Sequence, residues 1–293
     1  MLSSDNIFNN SQPSTNNQLY NIKLTDQQFK KLSTFLQSET GIKLPDVKRV
    51  MLQSRLYKRL RALNMNSFDE YITYALKKGN EQEIINMIDV VSTNKTDFFR
   101  EPGHFDFLSD ELIPFLMQKE AHHNFKIWCA AASSGEEPYT LAITCENAKQ
   151  RFNRLDYSIL ATDISTQMLD RGKTGIYAAE KVAHLPMSLK KQYFLRSIDQ
   201  KKPTVKVIPK LQQHIIWQRL NLMDDFYPTN DKYDLIICRN VLIYFERHIQ
   251  EQVITKLCRH LKPDGIFILG HSESIINMKV PLKQIKPTIY KLN

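Results

Sequence analysis

Residues 126–145 constrain the fold more than any other stretch. Lys126-Ile127-Trp128-Cys129 is β-prone, Ala130-Ala131-Ala132-Ser133-Ser134-Gly135 is a turn of small residues only, and Leu141, Ala142 and Cys145 follow at helical spacing. In a doubly wound sheet such a strand–turn–helix lets a ligand lie directly on the backbone, because no side chain holds it away. Glu136 and Glu137 occupy the first turn of the helix, where the helix dipole favours negative charge. They stand where a dinucleotide's pyrophosphate would need positive potential. The turn therefore suits a ligand carrying positive charge, and the missing GxGxxG argues against a dehydrogenase.

Alternating strands and helices run on from there. Strands are expected at 126–129, 157–162, 215–218, 233–238, 265–269 and 288–292, with helices at 136–152, 165–172 and 248–260 between several of them. This is the pattern of an α/β, doubly wound, Rossmann-like sheet with parallel strands. Short β-like runs at 204–208 and 214–218, after the polar stretch 197–203, predict a small antiparallel β insertion at about 196–218. Residues 25–91 carry helical spacing and no strand signal. The chain thus reads as a disordered tail (1–20), an all-α N-terminal domain (21–92) and a sheet domain (93–293).

The tail is rich in Asn, Ser and Gln and lacks the basic start and apolar core of a secretion signal. No apolar run is long enough to span a membrane. The four cysteines are widely spaced without a CxxC pair, which points to reduced thiols in a cytoplasmic protein. The net charge of +9 is uneven: residues 21–64 hold ten Lys or Arg against three acids, +7 of the total. A localised basic excess implies an acidic partner, either nucleic acid or an acidic protein surface. On the helix expected after Pro45, Lys48, Arg55 and Arg59 project within an arc of roughly 40°. A solvated charged face is the plain explanation, but the charges share one sign and few acids offset them at i±4.

Four segments carry candidate chemistry. Asp163 ends the second strand, where an acid in a Rossmann-type unit accepts hydrogen bonds from ribose hydroxyls; the alternative is a helix N-cap. With the small-residue turn upstream, adenosine binding is the better reading. Arg239 and Asn240 emerge at the carboxyl end of the apolar strand 233–238, with Tyr244 in the next turn; a purely structural network is the alternative there. Thr93-Asn94-Lys95-Thr96-Asp97-Phe98-Phe99-Arg100-Glu101 joins the two domains, and its paired phenylalanines suggest a segment that docks. His271-Ser272-Glu273 has no spacing that ties it to a metal or a triad, and His122-His123 reads as surface. No metal-ligand spacing appears in the sequence, so no metal is expected.

Together these segments resemble the CheR-type chemoreceptor glutamate methyltransferases, which use S-adenosylmethionine. Thr93-Asn94-x-Thr96-x-Phe98-Phe99-Arg100-Glu101, 130–139, Cys238-Arg239-Asn240-Val241-x-Ile243-Tyr244-Phe245, and Leu261-Lys262-Pro263-Asp264-Gly265 with Gly270-His271-Ser272-Glu273 match in order, and the resemblance spans about residues 25–292. It implies that Asn94, Thr96 and Arg100 reach the cofactor from the linker. Glu137 would face its methionine part, Asp163 its ribose and Asn221-Leu222 its adenine, with Asn240-Val241 also in contact. Tyr244 would stand beside the methyl group, and Arg239 would steer the acceptor carboxylate. Lys48, Arg55 and Arg59 would meet the receptor's methylation helices. Some members tether a receptor's C-terminal pentapeptide through a glycine-rich turn in the insertion; 197–203 has no glycine, which predicts weak or absent tethering.

The chemistry is consistent. A glutamate with a pKa of about 4.3 is already ionised at neutral pH and needs no general base, and none is visible in the motifs. A nucleic-acid methyltransferase is the alternative, since a basic domain binds phosphates. The segment after the fourth strand, Arg239-Asn240-Val241-Leu242, lacks the Asn-Pro-Pro-aromatic loop common in amino methylation of bases, and few aromatic groups stand ready for a flipped base. A non-catalytic cofactor-binding adaptor is disfavoured by the matched Arg239, Asn240 and Tyr244.

Overall fold

The computed structural model describes residues 22–119, 123–199 and 201–293. The expected tail at 1–20 and His122 lie outside the described residues. Two compact units are present: one is Leu44–Val91 with the described part of Met1–Phe35, and the other is Leu36–Lys43 with Ser92–Asn293.

The chain begins with helices α1 (Asp26–Thr40), α2 (Arg49–Ala62), α3 (Phe68–Ala75) and α4 (Glu81–Val91). Leu52, Leu56 and Leu60 recur every fourth residue on α2 and are fully buried, the apolar stripe of a core-facing helix. Ser67 caps α3 by accepting the Glu70 N–H at 3.1 Å. The expected basic face of α2 is corrected here. Arg59 is bidentate to Glu83 on α4 (Nε–Oε1 2.9 Å, Nη2–Oε2 2.6 Å). The Tyr71 hydroxyl donates to the same carboxylate at 2.9 Å. Arg55 donates to the Val91 carbonyl. Of the three, only Lys48, in a single 3-10 turn before α2, is exposed. The acid that offsets Arg59 comes from another helix, which i±4 counting cannot see.

The second unit continues through α5 (Gly103–Phe107), a π-helical turn (Leu108–Leu112) and α6 (Ile113–Lys119). Then follow β1 (His123–Ala130), α7 (Glu136–Lys149), β2 (Leu155–Asp163), α8 (Thr166–Thr174), β3 (Ile176–Ala178), α9 (Met187–Tyr193) and β4 (Phe194–Arg196). The remainder is β5 (Thr204–Val207), α10 (Pro209–Gln212), β6 (Ile215–Arg219), β7 (Tyr233–Cys238), α11 (Arg247–Cys258), β8 (Leu261–Leu269), β9 (Leu282–Lys286) and β10 (Ile289–Leu292).

Seven strands form one sheet in the order β6-β2-β1-β7-β8-β10-β9. β6, β2, β1, β7 and β8 pair in parallel, whereas β10 pairs antiparallel with both β8 and β9. Side-chain alternation splits the central strands between two cores. Ile127, Cys129, Ile159, Ala161, Leu235 and Ile237 belong to one, and Trp128, Ala130, Leu160, Ile236 and Cys238 to the other. Both faces are therefore covered, which is why β7 reads as an unbroken apolar run. β1 lies between β2 and β7, so the strand order reverses beside it. In open α/β sheets ligands bind at that reversal, outside the carboxyl ends of the strands.

The insertion differs from its expected bounds. β3, β5 and β4 make a separate antiparallel sheet, so it begins near residue 176, and 215–219 belongs to the main sheet as the β6 edge. The polar stretch 197–203 turns through side chains: Asp199 N–H donates to Ser197 Oγ at 3.0 Å and Lys201 N–H to Asp199 Oδ1 at 2.8 Å. No described residue in it has positive φ. Among the described residues no helix is long and apolar enough to cross a membrane.

Candidate active site

The turn after β1 is built from left-handed residues: Ala131 has φ 75°, Ser133 47° and Gly135 98°. Such a conformation costs a non-glycine residue roughly 1–2 kcal/mol, and strain of this kind gathers at functional sites. Ala131 and Ala132 N–H groups both donate to the Thr162 carbonyl at 2.8 Å, tying the turn to the end of β2. The Ser133 N–H donates to Asp163 Oδ2 at 2.8 Å, and Ser133 Oγ donates to the Asn94 carbonyl at 3.3 Å. Asp163 also accepts the Ser165 N–H at 2.9 Å. The N-cap of α8 is Ser165, whose Oγ accepts the Met168 N–H, so capping does not account for Asp163. Gly135 is small for a different reason. A Cβ there would sit 2.8 Å from both Trp217 and the Tyr177 hydroxyl, so packing beneath the turn requires this glycine.

The paired glutamates have separate fates. Glu136 is 2% exposed, accepts the Ser134 hydroxyl at 2.7 Å and lies 3.6 Å from Lys181 Nζ. Burial raises its pKa above the ordinary carboxylate value. Glu137 is the one directed at the strand ends. The Cys129 thiol donates to its Oε1 at 3.3 Å, and Arg239 Nη1 lies 3.0 Å from its Oε2.

Arg239 is clamped. Its side chain is 1% exposed, with Glu137 on one side and Glu101 Oε2 at 3.1 Å on the other. Its Nη2 donates to the Arg100 carbonyl at 2.6 Å. Arg239, expected to steer an acceptor, is here a buried guanidinium between two carboxylates, its Nε and Nη1 without a hydrogen bond among the described residues. Arg100, by contrast, is half-buried and makes no ion pair among the described residues; its Nη1 donates to the Lys95 carbonyl at 3.1 Å.

The linker docks onto the sheet unit. Phe98 is 1% exposed and packs edge-on against Tyr177 and Phe194 of the insertion, with ring centroids 5.1 and 5.3 Å away. Lys181 donates to the Thr96 carbonyl at 2.6 Å and to Asp97 at 2.8 Å. Asn94, Thr96 and Arg100 are thereby held beside the β1 turn and Arg239. Asn240 follows Arg239 at φ 57°, its Nδ2 donating to Glu101 Oε1 at 3.3 Å. Val241 comes next, then the 3-10 turn Leu242–Tyr244. Tyr244 is half-buried, and its hydroxyl makes no hydrogen bond among the described residues. Asn221 and Leu222 follow β6. Asn221 spends its side chain locally, donating to the Glu39 carbonyl at 2.6 Å and accepting the Met223 N–H at 3.0 Å. Leu222 is buried.

Glu101 and Glu273 are the carboxylates that sequence reasoning quoted without giving a role. Glu101 (φ 58°) anchors Arg239 and Asn240 and accepts the His271 N–H at 3.2 Å. Arg239, together with the Asn240 and His271 hydrogen bonds, holds its pKa below the usual range against the effect of burial. His104 and His271 converge on it, 3.6 and 3.9 Å from Oε2, a grouping that positions 101, 104 and 271 hide in the sequence. Arg239 already supplies positive charge to that same oxygen, so the cluster is better understood as a hydrogen-bonded support than as a metal centre.

Comparison with known proteins gives a consistent result. Residues 94–291 match the model of the CheR methyltransferase SAM-binding domain, and residues 27–92 that of the CheR methyltransferase all-alpha domain. The chemotaxis protein methyltransferase of Borreliella burgdorferi is 37% identical over 278 residues, covering 93% of this chain and 96% of that protein. Chemotaxis protein methyltransferase 2 of Pseudomonas aeruginosa is 35% identical, covering 91% of this chain and 93% of its own. The Escherichia coli chemotaxis protein methyltransferase is 32% identical and covers 93% of each.

Proposed function

The chain belongs to the CheR methyltransferase family, and from that membership we propose that it transfers a methyl group from S-adenosylmethionine to glutamate side-chain carboxylates of chemoreceptors. The products are a glutamate methyl ester and S-adenosylhomocysteine, and the role is sensory adaptation in chemotaxis within the bacterial cytoplasm. The observation that carries this reading is the charge pattern at the sheet's reversal point. Glu137 and Asp163 stand beside the bare-backbone turn, their carboxylates suited to an ammonium group and to ribose hydroxyls.

S-adenosylmethionine fits this donor set, with Glu137 for the amino acid part, Asp163 for the ribose, and Asn94, Thr96, Asn240 and Val241 along its length. Asn221 and Leu222 border the adenine through backbone and apolar surface, since the Asn221 side chain is already engaged. The cofactor supplies an electrophilic methyl on a sulfonium. With it bound, an acceptor carboxylate oxygen would form the new bond to carbon as the sulfur–carbon bond breaks, the electron pair staying on sulfur. Opposite charges are neutralised as this happens, so a site that excludes water favours the step. The protein's task is positioning, which can supply up to roughly 7–11 kcal/mol. Arg100, without a carboxylate partner among the described residues, is assigned to the acceptor, and Arg239 to orienting Glu137. Tyr244 borders the transfer path.

The methylation helices of receptors are the proposed partners, met by exposed Lys48; the glycine-free turn at 197–203 supports weak or absent pentapeptide tethering. The test incubates the full chain with labelled S-adenosylmethionine and receptor-containing membranes. Base-labile label on receptor glutamates is expected in wild type. Arg100→Ala should lose at least tenfold in kcat/KM, and Asp163→Ala should weaken S-adenosylhomocysteine binding. Label appearing only on nucleic acid would overturn the reading.

A further inference from the structure

We propose that Glu273 is a positioning residue for methyl transfer: a buried anionic latch that sets the loop carrying Asn240 and Tyr244. This rests on the reading that Asn240 and Val241 touch the cofactor. Glu273 lies just past the end of β8 and is 8% exposed. Its carboxylate reaches across to the loop after β7 and accepts four backbone N–H groups. Oε1 takes Val241 at 3.0 Å and Leu242 at 2.8 Å, and Oε2 takes Asn240 at 2.9 Å and Gly270 at 2.7 Å.

Three of the four donors are consecutive. Successive N–H groups around a left-handed residue form a concavity that attracts an anion, and Asn240 (φ 57°) is that residue here. Left without an acceptor, such buried donors each cost about 1–3 kcal/mol. A charged acceptor makes stronger bonds than a neutral one, so the carboxylate holds a strained conformation that the loop would otherwise leave. Glu101 grips the Asn240 side chain while Glu273 grips its backbone. The loop is thus fixed between the clamped Arg239 and the turn that presents Tyr244.

A second observation comes from Gly270. A Cβ there would lie 2.5 Å from Asn240 Nδ2, 3.0 Å from Asn240 N and 3.0 Å from Glu273 Oε2. Its φ is not left-handed, so this glycine is required by the latch and not by backbone conformation.

The experiment compares Glu273→Gln, Gly270→Ala, the double variant and Asn240→Ala in the full chain. S-adenosylhomocysteine affinity is read by calorimetry, and kcat and KM by receptor methylation, below the melting temperature of each variant. Glutamine keeps one acceptor oxygen but turns an NH2 toward backbone donors. The expected result is at least a tenfold weaker affinity and a lower kcat in each single variant. The double variant should be no worse than the worse single within threefold, because both lesions break one device. Exposed Glu111→Gln should match wild type. Gly270→Ala retains the carboxylate and decides the question if Glu273→Gln does not fold. Wild-type affinity in Glu273→Gln, or effects that multiply in the double variant, would overturn the latch. If Asn240→Ala binds as wild type, the cofactor reading of the loop fails and the latch with it. If Asn240→Ala is impaired while Glu273→Gln is not, the latch alone fails.

Discussion

His104 shows how a single side chain can carry the chemistry of its surroundings without entering the reaction. It is 2% exposed, and its Nε2 lies 2.7 Å from the Thr288 hydroxyl. That hydroxyl donates to the Pro287 carbonyl, so it accepts from His104, which fixes the proton on Nε2 and leaves Nδ1 as a bare lone pair. Burial first, then Arg239 and His271, push the imidazole pKa down to about 4, with Glu101 opposing them. The folded value lies below the ordinary 6.5, so the unfolded chain takes up this proton first as pH falls. Stability from His104 is present above pH 6.5 and is lost progressively down to about pH 4, a loss of about 3 kcal/mol. Urea unfolding across that range should show a steeper decline in wild type than in His104→Gln, and NMR should place the His104 titration near pH 4. A titration near 6.5 would mean that the ring is solvated. Arg239 is likewise engaged by its neighbours, lying between Glu101 and Glu137, an arrangement that residue type and position at a strand end could not reveal.

At the scale of elements, Arg59, Glu83 and Tyr71 bind α2, α4 and α3 into one unit. Removing one partner from a buried ion pair strands the other charge, a loss of about 3–5 kcal/mol. Arg59→Ala should therefore destabilise the chain by that amount in chemical denaturation. Lys48→Glu should change stability by less than about 0.5 kcal/mol and lower receptor methylation. Equal stability in both variants would show that the Arg59 pair is not the tie described. These elements also show what the sequence discloses. The strands β1, β2, β6 and β7 were legible because apolar runs and β-prone residues bounded by turn signals mark buried parallel strands. The β3-β5-β4 sheet was misplaced because its strands are three or four residues long, too short for periodicity. β8 was expected to start at 265, since Pro263 and Asp264 (φ 65°) interrupt the pattern; the chain instead pairs through that irregularity from Leu261. β9 buries one residue in five, and its two apolar residues, Leu282 and Ile285, are three apart and do not alternate as a strand's would. Of the candidate site residues, Asp163 and Asn240 stand out in the sequence as polar residues at or just past the ends of apolar strands. The carboxylates of Glu101 and Glu273 do not, because most of their partners are backbone groups and side chains more than thirty residues away.

Across the whole molecule, charge is segregated between a basic helical unit and a site whose charges are buried and paired. Lys23, Lys30, Lys31, Lys48 and Lys58 are exposed and make no ion pair among the described residues, whereas Arg239, Glu101 and Glu137 neutralise one another within the sheet unit. The two sets should respond differently to salt. The screening length falls from about 30 Å at 0.01 M to about 3 Å at 1 M ionic strength. Attraction between exposed lysines and an acidic receptor surface acts over that distance, and steering of this kind raises association rates by about 10–10³. Buried pairs in contact are screened far less. Raising ionic strength across this range should therefore lower kcat/KM for receptor methylation at least tenfold, through KM. The dissociation constant for S-adenosylhomocysteine should move less than threefold. The lysine-to-glutamate variant at position 48 should flatten the salt dependence of KM. A receptor kcat/KM that ignores salt would assign recognition to short-range contacts at the site itself, and the concentration of +7 in residues 21–64 would then have no part in finding the substrate.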